Sequence, residues 1–270
     1  MSSGANRGAY YAGFSGPWIE SGIGFELMGG ISAGAIAAAW FAARQWRDMV
    51  DSWYEAARWR ITPHPVFNMG RWRNVDQLIQ RITLRMMDVE GARSSDIEVR
   101  LGSSQVLRWP LLRLPEARLK VFSNRDARDA HEFGLMLRAT AFVPLMNGLR
   151  ASIAIDGQSY LDGGLVTRVP VEMIPVDRFD ELWIAACSPH GLAELEQRLS
   201  DWRRSERLVV ITPSSRLPVN RWTLDRERID RTMAIGRADM EEAVRGALDG
   251  EDHVFVGARA KQYRAAVGRA

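Results

Sequence analysis

Residues 24–46, GFELMGGISAGAIAAAWFAARQW, constrain the architecture of this chain more than any other stretch. A short apolar run ends in two glycines, and a segment rich in alanine, with strong helix propensity, begins a few residues later. Between them Gly30, Ile31, Ser32, Ala33 and Gly34 spell Gly-x-Ser-x-Gly. A strand that turns this sharply into a helix needs small neighbours at the turn, and it lifts the serine hydroxyl onto the N-terminal end of the helix. A serine that merely caps the helix in a glycine-rich turn fits the pentapeptide equally well.

The remaining pattern places this unit in a layered α/β domain. NVDQLIQRITLRMM reads as a helix with Asn74 as its N-cap. DIEVRL, SQVLRW and RLKVF read as strands joined by turns containing Gly102 and Pro115. AHEFGLMLRATAF is a helix that stops before Pro144, and ASIAI-DG-QSYL is a hairpin with Asp156 as a turn residue. ELWIAACS and RLVVITP are buried strands flanking the helix GLAELEQRLSDW, and a charged helix from about Asp225 to Leu248 leads to a basic tail. From Arg44 to about Asn74 the pattern is helical, broken by Pro63 and Pro65. Strands alternating with helices imply a central, mostly parallel sheet between two helical layers. We expect one domain over residues 1–270, with 225–270 a C-terminal helical segment.

Composition narrows the functions. The 36 basic and 33 acidic side chains nearly balance and are spread along the chain, and no nucleic-acid-binding module is recognisable, so no nucleic-acid partner is expected. One cysteine, Cys187, excludes an intrachain disulfide framework. Neither His nor Cys is spaced for zinc, and no cofactor motif is present. The longest apolar run, AIAAAWFAA, is too short to span a bilayer, and no basic-then-apolar leader opens the chain. A cytoplasmic location is the expectation.

A serine hydroxyl is a weak nucleophile until one group takes its proton and another stabilises the oxyanion. His190, in SPHG, follows Asp162 and permits a Ser-His-Asp esterase, but neither it nor His253 has a distinguishing context. Asp162, in YLDGGLVTRVP, ends the second hairpin strand ahead of Gly163 and Gly164, which let the backbone approach another group closely. Its ordinary pKa near 3.9 makes it a poor base unless burial raises it. The opening residues Ser3-Gly4-Ala5-Asn6-Arg7-Gly8 lead into apolar AYYAGF, where free N–H groups would receive a negative charge, a phosphate or an oxyanion. No Gly-Lys-Ser/Thr follows, which favours the oxyanion.

In this order, SGANRG, GISAG and DGG resemble the patatin-like phospholipase family, whose pattern is a Gly-Gly-Gly-x-Arg/Lys-Gly loop, Gly-x-Ser-x-Gly and Asp-Gly-Gly/Ala. LRATAFVP, ahead of the hairpin, resembles the small-residue helix end of that family. The resemblance implies a patatin-like three-layer α/β/α fold and a Ser32–Asp162 dyad that needs no histidine or cofactor. It implies an oxyanion hole from the N–H groups of Gly4 and Ala5, helped by Ala33, with Arg7, Gly8, Gly30, Gly34, Gly163 and Gly164 completing the motifs. The substrate implied is a fatty-acyl ester of a phospholipid or related lipid. Two departures stand out: SGA replaces three glycines, and only Met1 and Ser2 precede a loop that follows a strand in the family. A catalytically impaired, lipid-binding member is therefore the rival expectation.

A lipid substrate suggests peripheral contact with a membrane. Five of the ten tryptophans fall between Trp40 and Trp72 among arginines, and Trp46, Met49, Val50, Trp53 and Ala57 share one helical face. The same face would serve equally to pack a helix on the sheet. The cationic tail ARAKQYRAAVGRA could touch anionic lipid, although a solvated helix end is the commoner reading of such a stretch.

Overall fold

The structure is a computed structural model that describes residues 1–61, 72–108, 115–144, 146, 151–200, 207–220 and 225–267. In chain order the elements are α1 (Ala9–Ala12), α2 (Ser15–Ser21), β1 (Leu27–Ile31), α3 (Ala33–Ala42), α4 (Trp46–Ala57), β2 (Arg60–Ile61), β3 (Trp72–Arg73), α5 (Val75–Arg85), α6 (Val89–Arg93), β4 (Glu98–Arg108), β5 (Glu116–Ser123), α7 (Ala130–Thr140), β6 (Ile153–Ile155), β7 (Gln158–Asp162), β8 (Glu181–Ala185), α8 (Pro189–Ser200), β9 (Arg207–Ile211), α9 (Arg226–Leu248), β10 (His253–Val256) and α10 (Ala260–Val267).

Strand β4 organises the half that carries Ser32 and Asp162. On one edge it pairs antiparallel with β5 along most of its length. On the other edge it pairs first with β1, in parallel, from Leu27↔Glu98 to Ile31↔Gly102, and then with β7, antiparallel, from Ser103↔Asp162 to Gln105↔Tyr160. Strands β1 and β7 therefore lie end to end on the same edge, and their C-termini meet at Gly102 and Ser103. Strand β6 closes a hairpin on β7 through Asp156 and Gly157, both at positive φ as a two-residue turn of this kind requires.

Strands β8, β9 and β10 form a parallel set in which successive residues serve opposite faces. Leu182, Ile184, Leu208, Val210 and Phe255 pack in one apolar cluster with Leu195, Leu199 and Tyr263 of α8 and α10. Ala185, Val209, Ile211, Val254 and Val256 join the other, with Met240 and Ala243 of α9. This is the period-2 burial of a sheet covered on both sides.

Residues 1–3 join the two strand sets. The Met1 amine donates to the Gly29 carbonyl (2.6 Å) and the Met1 carbonyl accepts from Ile31 N–H, as a parallel neighbour of β1 would. On the other side Ser2 N–H donates to the Ala185 carbonyl of β8 (2.9 Å). The short lead into the loop thus bridges the gap between β1 and β8, and the pairs β10–β9, β9–β8 and β1–β4 on either side of it are all parallel. Burial pushes the Met1 amine down to about 5.

Three expectations need correction. Gly102 is not in a turn: DIEVRL and SQVLR are one strand, β4, running through it. A glycine is needed there because a Cβ would lie 2.7 Å from Met173 Sδ and 2.8 Å from Ile31 Cγ1. The segment 225–270 is not purely helical, because HVFV forms β10 and completes the parallel set beside β9. The helix expected from Arg44 onward ends at Ala57; Pro63 and Pro65 lie outside the described residues.

Candidate active site

The sequence 30–34 forms the expected sharp turn. Strand β1 ends at Ile31, α3 begins at Ala33, and Ser32 between them adopts φ 56°, ψ −124°. A non-glycine residue rarely takes such a backbone, and it persists only where the surroundings fix it. Both flanking glycines are required by contact. A Cβ on Gly30 would meet Gly34 and Ala35 backbone at 2.4 Å, and one on Gly34 would meet the Met1 and Ser2 carbonyl oxygens at 2.5 and 2.6 Å. The lead Met1–Ser3 therefore crosses directly over the turn, which makes the N-terminal residues part of the serine's housing.

Asp162 arrives from the opposite direction. It ends β7, its N–H donates to the Phe142 carbonyl (2.7 Å), and its carbonyl accepts from the Ser104 hydroxyl (2.8 Å). Gly163 and Gly164 open a 3-10 turn, and Gly164 N–H donates to Asp162 Oδ1 at 2.7 Å. Gly163 fits against the Gly102 carbonyl, where a Cβ would approach to 2.2 Å. With both strands ending on β4, the Ser32 hydroxyl comes near enough to the Asp162 carboxylate to favour its charged form. The two residues are only 7% and 8% exposed. Burial pushes the Asp162 carboxyl up to about 6, against the opposing effects of Gly164 N–H, the Ser32 hydroxyl and the Arg168 charge. A carboxylate in that range can take a proton near neutral pH, unlike an ordinary aspartate.

The loop Ser3–Gly8 curls between these two arms. Residues 5–8 form a 3-10 turn with Gly4 as its cap, Gly8 packs on Ala33 at the start of α3, and the Ser3 side chain lies beside Gly164. Gly4 sits against the buried Cys187 thiol, leaving no room for a Cβ. Ala5 takes a left-handed φ of 48°, so the loop keeps a glycine-like backbone although a methyl group replaces the hydrogen. The N–H groups of Gly4 and Ala5 take no partner among the described residues. Arg7 is half-buried in the last turn of this loop, and its charge lowers the Cys187 pKa against the larger upward push of burial.

Other candidates lie elsewhere. His190 is exposed in the first turn of α8 and makes no hydrogen bond to Ser32 or Asp162, while His253 Nδ1 accepts from Leu208 N–H within the β9–β10 pair. Among the described residues no group of three or more His, Cys, Asp or Glu is placed to hold a metal ion. The α4 face proposed for membrane contact packs inward: Met49 is buried, Trp46 meets Trp18 edge-on at 6.1 Å, and Trp53 lies over Gly8. Trp46, Val50, Trp53 and Ala57 are partly buried against the core, so the amphipathicity of α4 serves packing; Trp72 belongs to the short β3. Within the tail, Tyr263 of α10 is fully buried. No helix among the described residues is long and apolar enough to cross a membrane. An apolar cavity of about 340 Å³ between β1 and β8 is lined by neither Ser32 nor Asp162.

Ser104 and Thr140, which hydrogen-bond the two arms, carried no sequence signal of their own; Thr140 lies inside LRATAFVP, but only contacts across 108 residues reveal what it touches. No curated protein matches the chain. The family model described as patatin-like phospholipase matches residues 1–174, the stretch that holds the loop, the serine turn and the aspartate hairpin. The match covers well over half of the chain, which therefore belongs to the patatin-like phospholipase family.

Proposed function

We propose that this protein is a serine acyl hydrolase that cleaves fatty-acyl esters of phospholipids or related lipids through a Ser32–Asp162 dyad. The observation that supports it most is the meeting of β1 and β7 on one edge of β4, which sets a strained serine against a buried carboxylate raised to about 6. Asp162 takes the hydroxyl proton as Ser32 Oγ attacks the ester carbonyl. The oxyanion that forms is received by Gly4 and Ala5 N–H, with Ala33 N–H at the start of α3 as a further donor. Collapse expels the alcohol, which leaves with the proton from Asp162, and an acyl-enzyme remains on Ser32. Asp162 then accepts a proton from water, the hydroxide oxygen adds to the acyl carbonyl, and the fatty acid departs as Ser32 recovers its proton. Leu165 and Val166, exposed directly after the Asp-Gly-Gly turn, give the site an apolar rim suited to an acyl chain.

A fluorophosphonate probe and acyl release from mixed phospholipid micelles test the reading together. Labelling of wild type that disappears in Ser32→Ala, with acyl release lost in both Ser32→Ala and Asp162→Asn, is the expected result. A folded wild type that neither labels nor releases acyl groups points to a lipid-binding member without catalysis.

A further inference from the structure

We infer that Thr140 is a positioning residue that sets the Ser32 turn against Asp162, an inference that rests on the dyad reading. In the parallel pairing of β1 with β4, Glu98 N–H donates to the Glu26 carbonyl, and the ladder continues so that Ser32 N–H is due to donate to the Gly102 carbonyl. It does not. The Thr140 hydroxyl is spliced between the two groups, accepting from Ser32 N–H at 3.1 Å and donating to the Gly102 carbonyl. The hydroxyl both wedges the end of β1 away from β4 and satisfies a donor and an acceptor that the serine's left-handed backbone would otherwise leave buried and unpaired.

The same turn of α7 reaches the other arm. Two residues on, the Phe142 carbonyl accepts from Asp162 N–H at 2.7 Å. One short stretch, 140–142, therefore grips the backbone of both members of the dyad. Gly163, the residue after the aspartate, rests on the same Gly102 carbonyl that Thr140 holds. Helix α7 is itself anchored by the buried Arg138–Asp76 pair, at 2.9 and 3.0 Å, to α5. Thr140 is fully buried, and its hydroxyl is engaged by backbone, Ser32 N–H on one side and the Gly102 carbonyl on the other, so its effect is on distance and angle.

The test compares Thr140→Val, which keeps the shape and removes the hydroxyl, with Thr140→Ser, which keeps the hydroxyl. Folded Thr140→Val is expected to lose roughly 10- to 100-fold in kcat and in fluorophosphonate labelling rate, with KM little changed, as a small misplacement of reacting groups does. Thr140→Ser is expected to restore most of both, and the pH dependence is expected to keep its midpoint, because the aspartate environment is untouched. Should Thr140→Val fail to fold, Thr140→Ala, whose vacated space admits a bridging water, carries the same expectation with a smaller loss. Hydroxyl-free variants that fold and label at the wild-type rate overturn the inference, as does a serine variant that folds but fails to rescue. Ser32→Ala run alongside separates the two claims: labelling that survives it sinks the dyad itself, whereas labelling lost there but intact without the Thr140 hydroxyl sinks only the positioning role.

Discussion

Ser32 and Asp162 are held by contrasting means. The serine is fixed sterically, in a backbone conformation that tolerates nothing beyond hydrogen at Gly30 and Gly34 and that is roofed by Met1 and Ser2. The aspartate is fixed electrostatically: its backbone is ordinary strand, its amide and carbonyl are paired, and burial makes its carboxylate unusual. A nucleophile needs direction, which packing supplies, while a base needs a suitable pKa, which desolvation supplies. Each arm should therefore fail in its own way.

The largest effect is expected on the steric arm. Gly34→Ala drives a Cβ to within 2.5 Å of fixed backbone, so it should abolish labelling and lower the melting temperature, whereas Ser32→Ala abolishes labelling and leaves the melt nearly unchanged. A normally active Gly34→Ala protein breaks the steric half of the contrast. On the electrostatic arm, Asp162→Asn should cost on the order of 10³-fold or more in acyl release while stabilising the fold. The sign follows from the raised pKa: between about 3.8 and 6 the folded chain holds a proton that the unfolded chain has released, so the carboxyl's stabilising share is lost as pH rises through 6. At pH 8 the asparagine variant should be more stable by up to about 3 kcal/mol, and at pH 3.5 by almost nothing; denaturant melts at the two pH values measure this. An equal effect at both would mean that the carboxylate is not desolvated.

A subtler check is the rate itself. Acyl release should rise with pH through a midpoint near 6 as Asp162 ionises, and Asp162→Glu or Arg168→Ala should move that midpoint while Thr140→Ser does not. For Arg168→Ala the shift is upward, since the guanidinium favours the charged carboxylate. The smallest effect is expected at His190: replacement by alanine should leave turnover within about twofold, as for an exposed residue with no hydrogen bond to Ser32 or Asp162. A tenfold loss would restore histidine to the mechanism and demote the aspartate.

The same contrast explains what the amino-acid sequence made legible. The serine turn depends on five consecutive residues and the Asp-Gly-Gly turn on three, so both turns were visible locally, although only the resemblance to the patatin-like family, and not their spacing, joined them into one site. The hairpin around Asp156 and the Asn74 cap, where Gln77 N–H donates to Asn74 Oδ1 at 2.8 Å, are equally local. What stayed hidden depends on partners far away in sequence. Gly102 looks like a turn residue until Ile31, Met173 and Gly163 are seen against it. HVFV looks like part of a charged tail until β9 lies beside it. Met1–Ser3 look too few to matter until β1 and β8 are found on either side of them. The amphipathic face of α4 could be seen but not assigned, because a helix buried on a core and one resting on lipid carry the same periodicity.

The head-on meeting of β1 and β7 also bears on when the protein becomes active during its own folding. No hydrogen-bond ladder runs from one strand to the other; each is registered only through β4, and Thr140 reaches Ser32 across 108 residues. Contacts of such separation form late, after local helices and hairpins. A chain refolding from denaturant is expected to bury its tryptophans first and to gain reactivity toward fluorophosphonate only afterwards, with a measurable lag. Incomplete chains and collapsed intermediates would carry both residues yet pair them nowhere, so the candidate site comes into being only when β1 and β7 are both seated on β4.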